Sequence, residues 1–323
     1  MELIPKRKLE LLSGRSNRPL AEAIAEHLGV ELGEPNLREF ANGEIHCRYD
    51  TSIRGSDVFI IQTHCRPVND SLMEQLIMID AAKRASAKTI TAICPAYAYA
   101  RQDRKSTGRE PITAKLVADL LQAAGAERVV SVDLHSGQIQ GFFDVPFDHL
   151  RATPVLEDYL RSRVADEIVV VAPDSGRVKV AEAYAQQLNA DLALVHKRRP
   201  KGTYNQVEVR HVVGEVEGRH CVIIDDMIDT ASTICAAAER LADSGALEIW
   251  AMATHGVFSD QAVERLEKSP ISRVVVTDTL PALAVSTFEK LEVLSVAKII
   301  ADAIDAVFEE TSVSEIFGGA NLV

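Results

Sequence analysis

Acidic and hydroxyl side chains cluster behind an apolar run at residues 221–233, which read CVIIDDMIDTAST. Asp225 and Asp226 are adjacent, and two neighbouring carboxylates repel each other unless solvent or a bound group offsets the repulsion. Small residues follow at 229–233, and their backbone N–H groups, hydroxyls and helix N-terminus suit a phosphate dianion. The two aspartates suit the vicinal hydroxyls of a sugar. We therefore predict a ribose-phosphate clamp made of Asp225, Asp226, Asp229, Thr230, Ala231, Ser232 and Thr233.

A simpler interpretation of this stretch is a capped helix. Asp229 alone can act as an N-cap, with the threonines and the serine adding local hydrogen bonds. The adjacent pair Asp225 and Asp226 argues against this interpretation, because two neighbouring carboxylates contribute nothing to a cap and repel each other.

The elements around the clamp predict an α/β fold. Apolar runs rich in valine and isoleucine indicate strands at 57–62, 88–94, 128–134, 167–173, 221–225, 248–254 and 273–279. These runs are apolar on both faces, which is typical of strands in a covered parallel sheet. Helical patterns lie between them at 70–85, 111–126 and 232–246. The alternation predicts βαβ units, and ligands of such sheets bind beyond the carboxyl ends of the strands.

The organisation of the chain looks duplicated. The segment LLQAAGAERVVSV in the first half matches RLADSGALEIWAM in the second in its order of helix, glycine turn and strand. The segment VPFDHLRATPV breaks the periodicity near 145–155. We therefore expect two similar domains, 1–148 and 149–323. This division allows the last residues of the chain to pack back on the first domain.

Composition limits the classes of partner. The net charge of −12 argues against a nucleic-acid partner, because duplex binding needs a positive surface. No apolar run approaches the roughly 18 residues of a membrane span. The odd number of cysteines, without a CxxC pair, favours a reducing compartment, so we expect a cytoplasmic protein. Basic islands at 101–105 and 196–201 suit a compact polyanion, or are solvated charge runs.

Further segments occur in a fixed order along nearly the whole chain. They are FANGEI (40–45), YARQDRK (99–105), REPITAKL (109–116), DLHSGQIQGFFDVP (133–146), APDSG (172–176), HKRRP (196–200), ATHGVFS (253–259) and SVSEIF (312–317). VIIDDMIDTAST resembles the phosphoribosyl-diphosphate signature of type I phosphoribosyltransferases. Together with the ordered set, it resembles the ribose-phosphate pyrophosphokinase family, the phosphoribosyl pyrophosphate synthetases.

The resemblance implies a fold and a reaction. The fold is two similar phosphoribosyltransferase-like domains, each a mostly parallel sheet flanked by helices. The reaction is Mg²⁺-dependent transfer of the β,γ-diphosphoryl group of ATP to the 1-hydroxyl of ribose 5-phosphate. Its products are AMP and phosphoribosyl pyrophosphate, a precursor for nucleotide biosynthesis.

The resemblance also implies residue roles. Lys197 and Arg199 are expected to neutralise charge at phosphorus, and Asp174, Ser175 and Gly176 to hold the diphosphate. His135 and Asp174 match the family's metal ligands, and Asp174 is the better partner because Mg²⁺ prefers oxygen. The expected ATP-binding residues are Phe40, Asn42, Gly43, Glu44, Arg101, Gln102 and Asp103. These motifs precede the clamp, so ATP is expected at a boundary between domains or subunits.

The resemblance also implies sites of regulation, and the chain departs from the family pattern at several positions. The family is commonly a hexamer that phosphate activates and ADP inhibits. The matching effector positions are Ser52, Arg54, Ser86, Ser312 and Ser314. The segment KSTG at 105–108 departs from the usual basic regulatory loop. Arg177 and Ser232 stand where family members often have glycine, which permits a positive φ and close backbone approach.

Two rival functions stay open. A base phosphoribosyltransferase would share the clamp but has no need for YARQDRK or for Lys197 and Arg199. A non-catalytic regulatory subunit is expected to lose those two residues or the clamp, and all are present. A P-loop kinase and a GxGxxG dinucleotide site are excluded, because the chain has no Gly-Lys dipeptide and no two glycines spaced two apart.

Overall fold

The computed structural model describes residues 7–164, 168–198, 209–281 and 288–317, which divide into two compact units. Unit 1 comprises the described residues of 7–151, 279–281 and 295–317. Unit 2 comprises those of 152–278 and 288–294. Each unit is a mostly parallel sheet with helices, so the predicted α/β class is confirmed.

Fifteen strands and eight α-helices are described. The strands are β1 (Leu9–Ser13), β2 (Leu32–Gly33), β3 (Asn36–Glu39), β4 (Ile45–Arg48), β5 (Asp57–Ile61), β6 (Thr89–Cys94), β7 (Arg128–Val132), β8 (Phe147–Leu150), β9 (Ile168–Ala172), β10 (Asp191–Arg198), β11 (Val209–Val213), β12 (His220–Ile228), β13 (Glu248–Gly256), β14 (Arg273–Thr277) and β15 (Leu291–Leu294). The helices are α1 (Arg18–Leu28), α2 (Val68–Arg84), α3 (Thr113–Ala124), α4 (Thr153–Arg163), α5 (Val178–Leu188), α6 (Ser232–Asp243), α7 (Ala262–Lys268) and α8 (Ala297–Phe308).

Unit 1 is built on a six-stranded parallel sheet in the order β2-β1-β5-β6-β7-β8. All five residues of β5 are buried, as expected for a central strand covered on both faces. The antiparallel hairpin of β3 and β4 forms a separate small sheet. Helix α8 follows the last strand of unit 2 in sequence but belongs to unit 1, where it packs against α1.

Unit 2 has seven strands in the order β11-β10-β9-β12-β13-β14-β15, and only the β10–β11 pair is antiparallel. The strand β9 has β10 on one side and β12 on the other, so the chain reverses its direction across the sheet between β9 and β12. This reversal is the switch point where open α/β sheets bind ligands. Buried side chains of β9, β12 and α6, among them Val171, Ile223 and Ala237, pack into the core beneath it.

The predicted strands and helices are confirmed, with one correction. The strand predicted at 221–225 continues to Ile228, so Asp225 and Asp226 lie inside β12. The physical reason is pairing with β13, in which Met227 lies opposite His255 and Ile228 opposite Gly256. In the part of the chain that the structure describes, no helix is both long and apolar enough to cross a bilayer.

Candidate active site

The predicted clamp lies at the switch point of unit 2. The loop after β9 carries residues 173–177, and the loop after β12 carries residues 229–231. The two strands are parallel neighbours, so both loops leave the sheet at its carboxyl edge. The fold therefore brings together the diphosphate loop and the clamp, which are about fifty residues apart in the sequence.

Arg177 joins these two loops by pairing with both adjacent aspartates. Its Nε lies 2.8 Å from Oδ1 of Asp225, and its Nη2 lies 2.5 Å from Oδ1 of Asp226. All three side chains are nearly buried, with exposed fractions of 15% for Arg177, 15% for Asp225 and 9% for Asp226. The question raised by the adjacent carboxylates is thus answered, because a forked guanidinium offsets their repulsion.

Asp225 is poised between its two protonation states. Burial raises the pKa of its carboxyl to about 7, and Asp226 beside it acts in the same direction. Arg177 and the backbone N–H of Asp226, which donates to Oδ1 of Asp225 over 2.8 Å, oppose this rise in pKa. Near neutral pH the pair can therefore accept hydrogen bonds, and the charge on Asp225 responds to whatever binds beside it.

The loop after β12 has an unusual backbone at Ala231. This residue has φ 60° and ψ 0° in the left-handed region, which costs a residue other than glycine about 1–2 kcal/mol. It is the N-cap of α6, and no side chain caps the helix, so Asp229 is not the N-cap. Ser232 begins the helix, so the strained position is Ala231 rather than the residue that replaces the family's glycine.

The hydroxyls of the loop lie close together at the N-terminus of α6. The Oγ1 of Thr230 and the Oγ of Ser232 are 3.1 Å apart, within hydrogen-bond distance of each other. Ser232 is exposed and Thr230 is half-buried. Hydroxyls and backbone N–H groups at a helix start form a site for an anion, so this geometry supports a phosphate ligand.

A second turn, at residues 257–260, holds the clamp loop in place, and the sequence did not reveal it. The N–H groups of Val257 and Phe258 donate to the carbonyl of Ile228 over 3.0 Å, and that of Ser259 donates to Asp229 over 3.0 Å. From α7, Nη1 of Arg265 donates to the carbonyl of Thr230 over 2.7 Å. The segment ATHGVFS contains this turn, but nothing in that segment indicates that it binds the clamp loop.

Asp174 lies at the start of the diphosphate loop. Its Oδ1 accepts a hydrogen bond from the backbone N–H of Gly176 over 2.9 Å, which fixes the carboxylate within the turn. Arg177, at the end of the turn, has φ −104° and ψ 0°. This backbone does not require glycine, so the arginine is accommodated without the positive φ that a glycine would permit.

The predicted nucleotide residues of the first motif lie on the hairpin loop between β3 and β4. The loop closes by hydrogen bonds from the N–H of Phe40 to the carbonyl of Glu44 and from that of Gly43 to Phe40, each 2.8 Å long. Asn42 Oδ1 accepts from the N–H of Glu44 over 3.2 Å, and Gly43 supplies φ 89°. The ring of Phe40 is 46% exposed, so a base can stack on it.

The second nucleotide motif lies on a loop of unit 1 between β6 and α3. Arg101 and Gln102 are exposed and Asp103 is half-buried. Gln102 ties the loop to α3, because its carbonyl accepts from the N–H of Ala114 over 3.2 Å. The described structure thus places all of the predicted nucleotide residues on surface loops of unit 1.

Known proteins resemble this chain, several of them over nearly its whole length. Two family models match, the N-terminal domain of ribose phosphate pyrophosphokinase at residues 9–125 and the phosphoribosyl synthetase-associated domain at residues 207–318. A ribose-phosphate pyrophosphokinase of Streptomyces avermitilis is 53% identical over 313 residues, which cover 97% of each chain. One of Bifidobacterium longum is 52% identical over 317 residues, covering 97% of this chain and 93% of that protein.

The chain belongs to the ribose-phosphate pyrophosphokinase family. A solved structure agrees, the phosphoribosylpyrophosphate synthetase from Mycobacterium smegmatis, at 52% identity. The match covers 94% of this chain and all of that chain, with a TM-score of 0.89. The prediction of family and fold from the ordered motifs is therefore confirmed.

The structure describes only the backbone of one of the two residues expected to act in the pyrophosphokinase reaction. Lys197 lies on β10, with its backbone opposite Arg210 of β11, but its side chain lies outside the described part. Arg199 lies outside the described residues altogether. Their catalytic roles stay predictions.

The remaining positions expected from the pyrophosphokinase family lie in unit 1. His135 follows β7, just before a 3-10 helix at Gly137–Phe142. Ser52 and Arg54 lie on the turn before β5, which is linked to Ser86 by a 2.8 Å hydrogen bond from the N–H of Gly55 to the Ser86 carbonyl. Ser312 and Ser314 have hydroxyls 2.8 Å apart in the segment after α8.

Proposed function

We propose that this chain makes phosphoribosyl pyrophosphate with ribose 5-phosphate held at the switch point of unit 2. The observation that carries this assignment is the meeting of the Asp225–Asp226 pair, the start of α6 and the Asp174 loop at the carboxyl ends of β9 and β12. The sugar hydroxyls bind the two carboxylates, and the 5-phosphate binds the loop from Asp229 to Thr233. Family membership supplies the reaction, and the geometry supports the residue assignment.

The loop at 229–233 suits the phosphate for two reasons. The N-terminus of α6 directs backbone N–H groups and the positive end of the helix dipole towards the loop. The turn at 257–260 and Arg265 already bind the carbonyls of this loop. These bonds hold the loop in its strained conformation before a ligand arrives, so less ordering is needed on binding.

The reaction balances without a covalent enzyme intermediate. The 1-hydroxyl oxygen of the sugar forms a bond to the β-phosphorus of ATP, and the bond from that phosphorus to the oxygen bridging to the α-phosphate breaks. AMP leaves with the bridging oxygen, and the hydroxyl proton passes to solvent. Positioning and charge neutralisation then account for most of the catalysis, and Lys197 and Arg199 are the cations we assign to the neutralisation.

Mg²⁺ is the cofactor we assign, with Asp174 as its principal protein ligand. Asp174 offers carboxylate oxygens on a turn at the site. Mg²⁺ prefers oxygen ligands and is usually bound by one or two carboxylates together with water and substrate phosphates. Bound there, Mg²⁺ supplies positive charge that screens the phosphates of ATP. We also propose His135 as a ligand, although magnesium prefers oxygen to nitrogen.

The nucleotide is assigned to the loops of unit 1. The exposed Phe40 ring can stack on adenine, and Arg101 can bind phosphate oxygens. Gln102 and Asp103 add polar groups, as do Asn42 and Glu44 on the hairpin loop.

The assembly, effectors and location are proposals as well. We propose a homohexamer, with phosphate and ADP acting at Ser52, Arg54, Ser86, Ser312 and Ser314. We also propose a cytoplasmic location, which the free state of all five cysteines supports.

The test is direct. The purified protein is incubated with ATP, Mg²⁺ and ribose 5-phosphate, and adenine nucleotides are separated by chromatography. AMP is expected only when both the sugar phosphate and the metal are present. ADP as the product would mean transfer of a single phosphoryl group and would overturn the mechanism. No turnover, with and without inorganic phosphate, would favour a regulatory subunit.

A further inference from the structure

We infer that Arg177 is a positioning residue of the sugar site, which aligns Asp225 and Asp226 on the hydroxyls of ribose 5-phosphate. The inference rests on the proposed function. It adds Arg177, which belongs neither to the predicted clamp nor to the predicted diphosphate residues. Family members often carry glycine at this position, so the role does not follow from the family pattern.

The first argument is the geometry of the ion pairs. A single guanidinium binds both aspartates, by Nε to Asp225 and by Nη2 to Asp226. Arginine presents its donors in a rigid planar fork, so it fixes the relative orientation of the two carboxylates as well as their charge. In each carboxylate the oxygen that it approaches is Oδ1. Because a carboxylate has about four acceptor positions, a sugar hydroxyl can still bind.

The second argument is the electrostatics of the buried pair. The two carboxylates lie in a nearly buried place, and the ligand brings a phosphate dianion to the same site. Burial and Asp226 raise the pKa of Asp225, and the positive charge of Arg177 opposes this rise. Without the arginine, Asp225 is expected to keep its proton to a higher pH, and a protonated carboxyl accepts hydrogen bonds less well.

The third argument is the position of Arg177 in the fold. It is the N-cap of α5, anchored by its N–H to the carbonyl of Asp174 over 3.2 Å and by its carbonyl to the N–H of Ala181 over 2.9 Å. The arginine therefore couples the diphosphate loop to the sugar carboxylates.

The test compares two sugars in three variants. Arg177→Ala removes the guanidinium, Arg177→Lys keeps the charge without the fork, and Lys179→Ala is the matched control. Lys179 is an exposed cation on the same helix, two residues from Arg177. Affinities for ribose 5-phosphate and 2-deoxyribose 5-phosphate are measured by calorimetry without ATP, and kcat and both KM values are measured separately.

We expect Arg177→Ala to weaken ribose 5-phosphate binding by about 10–100-fold, the range for hydrogen bonds to charged groups. The loss should be clearly smaller for the 2-deoxy sugar, because that ligand lacks one of the hydroxyls the carboxylates bind. The KM for ATP and the kcat at saturation should match those of Lys179→Ala. Arg177→Lys should recover part of the affinity.

Three results would overturn the inference. They are an unchanged affinity in Arg177→Ala, an equal loss for both sugars, and a fall in kcat at unchanged KM. Should Arg177→Ala fail to fold, Arg177→Lys and Arg177→Gln give the same comparison. If the wild-type protein binds ribose 5-phosphate but forms no AMP, the proposed reaction fails while the binding comparison still tests Arg177. If it does not bind the sugar phosphate, both fail.

Discussion

Replacing Asp225 with asparagine is expected to stabilise the protein at alkaline pH, at the expense of activity. Burial raises the pKa of this carboxyl to about 7 from an ordinary value of 3.8. The folded protein therefore binds this proton more tightly than the unfolded chain does. The contribution of this proton binding to the free energy of unfolding is fully present below the ordinary pKa and is lost as the pH rises through about 7. Asparagine carries no charge at this position, so the stability of Asp225→Asn does not fall in this way as the pH rises.

The size of the effect follows from the two pKa values. At pH 5.5 the folded carboxyl is nearly all protonated and the unfolded one is nearly all ionised, whereas at pH 8 both are ionised. With 1.36 kcal/mol for each pKa unit, the stability that Asp225 contributes falls by about 2 kcal/mol between these pH values. For a unit of this size, it corresponds to roughly 4–8 °C in Tm.

Thermal unfolding of the two proteins at pH 5.5 and pH 8 measures the effect. The Tm of Asp225→Asn should rise relative to wild type as the pH is raised, and its affinity for ribose 5-phosphate should fall. Asp158→Asn is the control, because Asp158 is 80% exposed on α4 and should show no such change in relative Tm. A relative Tm of Asp225→Asn that is the same at both pH values would refute the reasoning about burial.

Four other outcomes are expected. Phe40→Ala should raise the KM for ATP by about tenfold, the loss of one base-stacking contact, while Phe40→Trp should not. Arg265→Ala should raise the KM for ribose 5-phosphate by about tenfold and leave that for ATP unchanged, because the lost bond is to the Thr230 carbonyl. Lys197→Ala should lower kcat by about 10³-fold with little change in KM, and an unchanged kcat would exclude its role. Calorimetry should give one ribose 5-phosphate per chain, because side chains around the buried Gln62 fill the equivalent crevice of unit 1, and two would show that this crevice binds the sugar phosphate as well.

The central strands and the clamp were predictable from the sequence, because both are local patterns. Strands buried on both faces appear as continuous apolar runs, and the clamp is one continuous segment. The short edge strands, such as β2 with two residues and β8 with four, were not predicted, because so few residues carry no periodicity. The strand end at Ile228 was misjudged, since pairing with β13 overrides the polar side chains.

The contacts that shape the site could not be predicted, because they join residues far apart in the chain. Arg177 was known only as a departure from the family's glycine, and its ion pair with Asp226 spans 49 residues. Arg265 reaches Thr230 across 35 residues, from a helix that was not predicted. The left-handed conformation of Ala231 also has no sequence signal, because alanine rarely adopts it and tertiary bonds hold it there.

The two units share one sheet order, yet among the residues that the structure describes only those of unit 2 form a clamp. The order β2-β1-β5-β6-β7-β8 corresponds to β10-β9-β12-β13-β14-β15, so Gln62, directly after β5, corresponds to Asp225. Gln62 is buried, accepts from the Ser16 hydroxyl over 2.7 Å and donates to Glu74 over 2.9 Å. Arg15 donates to the same Glu74 over 2.6 Å, and a Cβ added to Gly14 would lie only 2.2 Å from the Gln62 amide oxygen. The chain's own side chains therefore fill the equivalent crevice of unit 1. A sugar phosphate would have to displace a buried, satisfied network there, whereas in unit 2 it meets two carboxylates that a single arginine holds.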